Sequence, residues 1–402
     1  MRLDGGDAAL GHLCYCSNIH PGESWDQTRA ALGRYLPAVK ARVSPDAPLG
    51  VGLRLSALAA QQLERQADLL LEFRQFLTRH GLYVFTVNGF PYGRFHGAGV
   101  KQQVYQPDWR RTERLEYSNR LAVLLARLMP PELPWGSVST VPGAFAADAR
   151  ADPDSTRAIL DNLLHHVAFL QRLHMESGRC IRLALEPEPA CLLETCADAV
   201  AFFEDRLLSP LAMEQLARLC RCPPRHAETL LRRHLGLCLD CCHAAVEFED
   251  PDDSLDRLEA AGLDVVKLQL SAGLRLPAVG PEHRAQLQDF AEDSYLHQVV
   301  QRGADGLRRF DDLPAALDRL DEAAGAEWRI HFHVPLWTRE LGAMAGTGDF
   351  VAAVLARHRR RPVSDHLEVE TYSWHVLPEA YRDAELADAI ARELNWVKER
   401  LR

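Results

Sequence analysis

Two short apolar runs that each end in charged side chains constrain this chain more than any other feature. Leu235-Gly-Leu-Cys-Leu-Asp-Cys-Cys-His243 has the form of a buried strand that presents Asp240 and His243 at its end. Ile181-Arg-Leu-Ala-Leu-Glu-Pro-Glu-Pro189 repeats that form and ends in Glu186 and Glu188. Near-continuous apolar strands belong to parallel sheets covered by helices on both faces. A carboxylate at such a strand end is costly to desolvate unless something compensates it. Together the two runs predict a site on one rim of a parallel sheet.

The rest of the chain alternates similar strands with longer amphipathic stretches, the pattern of repeated βα units. Strands are predicted at 12–18, 49–55, 82–87 and 136–141, then in the two runs above and at 264–271. Helices are predicted at 25–43, from the N-cap Ser56 to His80, after Pro153 to Ser177, and at 378–401, with a helical insertion over 194–234. Gly81 ends the second helix in the expected way. Two strand-like runs remain, 329–336 and 366–372, which makes nine candidates for a barrel that usually has eight. No Gly-, Ser- or Pro-rich boundary divides the chain. The economical expectation is one α/β domain over 1–402, a closed (β/α)8 TIM barrel with helical insertions and one extra strand-like segment near the C-terminus. The stretch from Asn88 through Trp109, rich in Gly, Tyr, Gln and His, reads as a functional lid.

Composition excludes several classes. A net charge of −10 disfavours nucleic acid as a partner, because binding phosphates requires clustered Lys and Arg. No run of eighteen apolar residues predicts a transmembrane segment, and the N-terminus has no signal-peptide pattern. The ten cysteines show no repeated CxxC pair, and several lie inside apolar strands, which fits a reducing compartment. The expectation is a soluble cytoplasmic protein with a small-molecule partner, compatible with a homo-oligomer. There is no G-x-S-x-G elbow, no G-x-G-x-x-G and no P-loop.

In a barrel of this kind functional groups collect at the carboxyl ends of the strands. Glu186, Asp240, His243, Gln269, His331, His333, Glu368 and Glu370 all lie in or just after the later strands. Period-two alternation puts His331 and His333 on one face, and Glu368 and Glu370 on one face. Such acids must pair with arginines, for which Arg182, Arg275 and Arg329 are available, or hold a metal. Mixed carboxylate, imidazole and amide donors suit a divalent metal ion of the Mn, Co, Mg or Zn type. His20 and Asn88 are candidates for substrate contact, with turn roles as the alternative. Lys267 shares a face with Gln269, as a charge partner for the acids or as a Schiff-base lysine.

The Leu-Glu-Pro strand end at Glu186, followed by Leu-Asp-Cys-Cys-His at 239–243, resembles the xylose isomerase-like TIM-barrel superfamily of sugar isomerases and epimerases. The resemblance implies one divalent metal held by Glu186, Asp240, a strand-seven residue and Glu370, with His243 contacting substrate. Arg275 resembles the substrate-binding arginine after strand seven. Gln269 stands where that family has a histidine, so His333, or alternatively His331, would supply the imidazole. The phrases Tyr-Cys-Ser-Asn-Ile-His-Pro-Gly-Glu, Thr-Val-Asn-Gly-Phe-Pro-Tyr-Gly, His-Phe-His-Val-Pro-Leu and Leu-Glu-Val-Glu-Thr-Tyr-Ser-Trp more closely resemble the metabolite traffic family EboE. That implies a bacterial setting linked to processing or export of a secondary metabolite. The expected activity is a metal-dependent isomerase or epimerase acting on a polyhydroxylated or carbonyl-bearing small molecule, with Glu186 and Glu370 as acid–base groups. The alternatives are a non-catalytic metabolite carrier and, further off, a metal-dependent hydrolase.

Overall fold

A computed structural model describes residues 1–4, 9–97, 99–379, 382 and 384–402. Eight parallel strands form the barrel: Ala9–Tyr15, Leu49–Arg54, Leu82–Asn88, Trp135–Thr140, Cys180–Leu185, Leu235–Asp240, Val265–Leu270 and His366–Val369. They lie side by side in chain order, with the eighth between the first and the seventh. The seam between the first and second strands is bridged by Cys16 and Gly52, and a short strand, Arg2–Asp4, pairs antiparallel with the first. Gly52 is required there. A Cβ on it would lie 1.8 Å from Glu368 Oε2 and 2.6 Å from the Tyr15 carbonyl oxygen. All residues of the second, sixth and seventh strands are buried, as expected of strands enclosed by side chains within and helices outside.

The ninth strand candidate lies outside the barrel. Between the seventh and eighth barrel strands the chain builds a five-stranded antiparallel sheet from Ala272–Leu276, Val299–Gly303, Gly306–Phe310, Glu327–Val334 and Ala345–Gly346. The run predicted at 329–336 is one strand of it, and the run at 366–372 contains the eighth barrel strand. The predicted helix from Ser56 to His80 is two helices, Ala57–Arg65 and Ala67–Arg79, broken at an extended Gln66. Positions 64–68 carry no large apolar side chain, so core packing does not hold that turn helical. The last helix spans Leu386–Leu401; its predicted start includes residues outside the described ones. No helix among the described residues is long and apolar enough to cross a membrane, and all ten cysteines are free thiols.

Candidate functional site

At the carboxyl end of the barrel a cavity is lined by Asn18, Asn88, Tyr105, Glu186, Glu188, His243, His331, His333, Glu370 and Tyr372, with Phe90, Phe95, Tyr295 and Leu296 among its apolar walls. The cover comes from the stretch between the third strand and the helix Thr112–Leu128, as the lid reading expected. Phe95 from this segment packs with Tyr295 and Tyr372. Lys101 ties the segment to the antiparallel insertion through Asp312, at 2.8 Å, and the Glu292 carbonyl, at 3.0 Å.

Three carboxylates converge on the cavity floor. Glu186 follows the fifth strand, Asp240 ends the sixth, and Glu370 follows the eighth; all are buried, and their oxygens lie within 4.8 Å of one another. Gln269, on the seventh strand, points its amide nitrogen into the group. It donates to Glu186 at 2.9 Å, to Asp240 at 3.3 Å and to Glu370. Glu370 also accepts from Asn18, at 2.5 Å, and from Asn88, at 3.1 Å. Burial first, then the neighbouring Glu370 and Asp240 charges, pushes the Glu186 carboxyl well above the usual carboxylate range. Burial and then Asp240 push Glu370 up to about 8. Asp240 goes the other way. Burial opposes its charge, but the His243 and His333 side chains and hydrogen bonds from the His243 amide and Ser271 hydroxyl hold it below the usual value.

Three histidines stand over this floor. His333 presents its Nδ1 to the Glu370 carbonyl at 2.8 Å and leaves a buried Nε2 without a partner; burial lowers its pKa to about 4. His331 lies 2.8 Å from Gln298 Oε1, and burial holds it well below the usual histidine value. His243, in the short helix Cys241–Val246 that Asp240 caps, lies 2.9 Å from the Pro187 carbonyl. Both His331 and His333 face the cavity, in keeping with their shared strand face. Glu368 and Glu370 also both point inward, at different depths. Glu368 lies within the barrel, 2.5 Å from Lys267 Nζ, so Lys267 is a charge partner as expected.

The arginines do not neutralise the acids of the floor. Arg182 pairs with Asp264, and Arg275 and Arg329 pair with Glu327 on the antiparallel sheet. Arg275 is therefore not brought to the cavity, because the chain leaves the barrel at residue 272 and spends this side chain on the insertion. His20 is not among the lining residues either. Its ring stacks on Tyr35 at 4.3 Å and its Nε2 lies 3.0 Å from the Tyr15 hydroxyl. The turn Ser17–Ile19 instead carries Asn18 into the cavity, a residue sequence reasoning passed over although it lies just beyond the first strand. Glu188 and Tyr105 also line the cavity without a role assigned from the sequence. The acid-rich Glu-Pro-Glu strand end pointed to the first, whereas only tertiary contact shows the second.

The donor set fits a divalent cation: Glu186 Oε2 and His333 Nε2 are buried with no hydrogen-bond partner, and three carboxylates crowd one point. Glu186, Asp240 and Glu370 would hold it, with His333 reaching Asp240 from above. Gln269, expected as a ligand, turns its amide nitrogen to these acids and its oxygen to Cys238 Sγ at 3.1 Å, so it stands as a hydrogen-bond donor to them instead. No protein-family model matches the sequence, and no curated protein matches it. Among solved structures the chain is similar to a D-allulose 3-epimerase from Methylomonas sp. in complex with D-allulose, at 12% identity over 97% of both chains with a TM-score of 0.50. It is also similar to the IOLI protein with a bound zinc atom, at 12% identity over 97% and 98% with a TM-score of 0.48. A xylose isomerase-like TIM barrel protein from Mycobacterium smegmatis in complex with magnesium is similar at 11% identity over 96% and 98%, with a TM-score of 0.48. At such identity the likeness to the epimerase speaks to architecture alone, and the chain has that architecture, an eight-stranded parallel α/β barrel with its acidic rim at the carboxyl end.

Proposed function

We propose that the protein is a metal-dependent isomerase or epimerase acting on a polyhydroxylated or carbonyl-bearing small molecule. The observation that carries this reading is the convergence of Glu186, Asp240 and Glu370, unneutralised by arginine, beneath a covered cavity. A divalent ion in that donor set supplies positive charge to adjacent substrate oxygens. Glu186 and Glu370 lie just beyond the fifth and eighth strands with raised proton affinities, which suits one to remove a proton from carbon and the other to return it. Asn18 and Asn88 orient Glu370 through its Oε1. His243 and the Tyr372 hydroxyl face the space where substrate hydroxyls would sit. Phe90, Phe95 and Tyr295 exclude water from a transiently deprotonated carbon.

A bacterial cytoplasmic setting in secondary-metabolite processing or export belongs to the same reading, supported by the resemblance to the metabolite traffic family. A second reading, a carrier that shelters a metabolite without chemistry, rests on Gln269, whose amide nitrogen supplies hydrogen bonds to all three carboxylates without a cation.

Incubating Mn²⁺-loaded protein with a panel of ketoses in D₂O separates the two. Deuterium entering a carbon-bound position, seen by NMR, is expected, with Glu370→Gln slower by ~10²–10⁴-fold. Ligand-dependent stabilisation with no exchange for any compound would favour the carrier. Failure of the purified protein to bind a divalent ion under any reconstitution, with Asp240→Ala as control, would remove the metal-dependent reading.

A further inference from the structure

His243 and His331 face each other through atoms that cannot both be satisfied by the protein. His243 Nδ1 lies 2.9 Å from the Pro187 carbonyl, which only accepts, so this nitrogen carries the proton. For His331 the partner is the Gln298 side chain. Gln298 Nε2 donates to the Pro189 carbonyl at 3.1 Å and to the Tyr105 hydroxyl at 2.8 Å, which fixes the amide and turns its Oε1 to His331 Nδ1 at 2.8 Å. That nitrogen is protonated as well. In the neutral rings both Nε2 atoms are then lone pairs, and they lie 3.2 Å apart. The Tyr372 hydroxyl is 3.4 Å from His331 Nε2, a long contact that leaves His243 Nε2 unsupplied.

A carboxylate stands at the same point. Glu188 Oε1 accepts from the Tyr105 hydroxyl at 2.6 Å, whereas its Oε2 is buried with no partner. Donor atoms of Glu188, His243 and His331 all lie within 4.8 Å of one another. Two imidazoles pinned through Nδ1 to carbonyl oxygens, with Nε2 lone pairs 3.2 Å apart beside a buried carboxylate, form the outer support and inner donors of a metal site. Gln298 and Tyr105 hold it as hydrogen-bonded supports rather than ligands.

We propose that Glu188, His243 and His331 bind a second divalent cation, distinct from the one assigned to Glu186, Asp240 and Glu370. Its two nitrogens and one oxygen select a zinc- or cobalt-type ion, whereas the carboxylate floor also suits harder ions such as Mn²⁺ or Mg²⁺. The site opens to the cavity, so its remaining coordination positions are available to a substrate oxygen or nitrogen. His331 reaches it from the antiparallel insertion, so the insertion completes a site that the barrel alone does not contain.

Zn²⁺ content after dialysis and the visible spectrum of the Co²⁺-substituted protein test this on the full chain. Two equivalents are expected in the wild type and one in Glu188→Gln and in His331→Ala, with the Co²⁺ band of the nitrogen-rich site lost in both. Glu188→Gln keeps the size of the side chain and its acceptor toward Tyr105, so a folding failure of His331→Ala does not remove the test. A single equivalent in the wild type, lost in Glu186→Gln but retained in Glu188→Gln, would overturn the second site and leave the carboxylate site standing. A single equivalent with the opposite response would sustain the second site and overturn the first. No bound ion, with one doubly protonated ring in the ¹⁵N spectrum, would show a shared proton instead and overturn the proposal.

Discussion

Glu370 is the residue whose environment sets a measurable pH dependence. Its ordinary value of 4.5 rises to about 8 in the folded, metal-free chain, so the folded state keeps a proton that the unfolded chain has released. Buried His333 works in the opposite sense below its ordinary value of 6.5, where folding excludes a proton. Above about 6.5 the opposition from His333 ends, and the contribution of Glu370 to the stability of the metal-free protein falls as pH rises toward about 8, by up to ~2 kcal/mol. Denaturant unfolding in chelator, comparing wild type with Glu370→Gln across that window, checks this. A parallel pH dependence in the two proteins would refute it. A bound cation favours the charged carboxylate and should remove the slope.

The lid is the element whose anchoring is most local. His96 Nε2 donates to the Asn18 carbonyl at 2.6 Å, so its Nδ1 accepts from the Tyr295 hydroxyl at 2.9 Å. One ring thus couples the first barrel loop, the lid and the antiparallel insertion. His96→Ala removes both bonds while leaving the Phe95, Tyr295 and Tyr372 cluster in place. The expected cost is about 1 kcal/mol, felt as a roughly fivefold increase in the open fraction of the lid. Limited proteolysis between the third strand and Thr112 should accelerate accordingly, with the global melting temperature little changed. An unchanged cleavage rate there would show that the aromatic cluster alone holds the lid shut.

For the whole molecule, the interior of the barrel is organised around one buried ion pair. Lys267 from the seventh strand meets Glu368 from the eighth at 2.5 Å and donates to Ser139 on the fourth at 3.1 Å. Glu368 lies against Gly52 at the seam, so the pair links four strands of the closed sheet. Lys267→Met leaves a buried carboxylate uncompensated and should destabilise by ~3–5 kcal/mol, whereas adding Glu368→Leu should recover much of the loss. Urea unfolding of both variants measures this. A double variant less stable than Lys267→Met would mean that packing at the seam, rather than charge, dominates.

The sequence by itself determined the parallel barrel, because apolar runs at βα spacing leave a chain few ways to bury them. It also placed Glu186, Asp240 and Glu370 at or just beyond the carboxyl ends of three barrel strands, since a strand's last residues are read directly from its pattern. Period-two alternation put Lys267 on the face of Gln269 and left it as a charge partner or a Schiff-base lysine; the contact with Glu368 decides for the former. Other features were decided only by tertiary structure. The antiparallel insertion is not legible in the sequence because its strands, such as Ala272–Leu276 and Gly306–Phe310, are short and carry no strong period. That insertion takes Arg275 away from the cavity and brings His331 and His333 to it, from more than sixty residues beyond the barrel strand they serve. Asn18 rather than His20 enters the site because a single turn of 3₁₀-helix sets which side chain faces inward. Strand ends are encoded locally, but the partners that face them across a cavity are set by long-range closure of the chain.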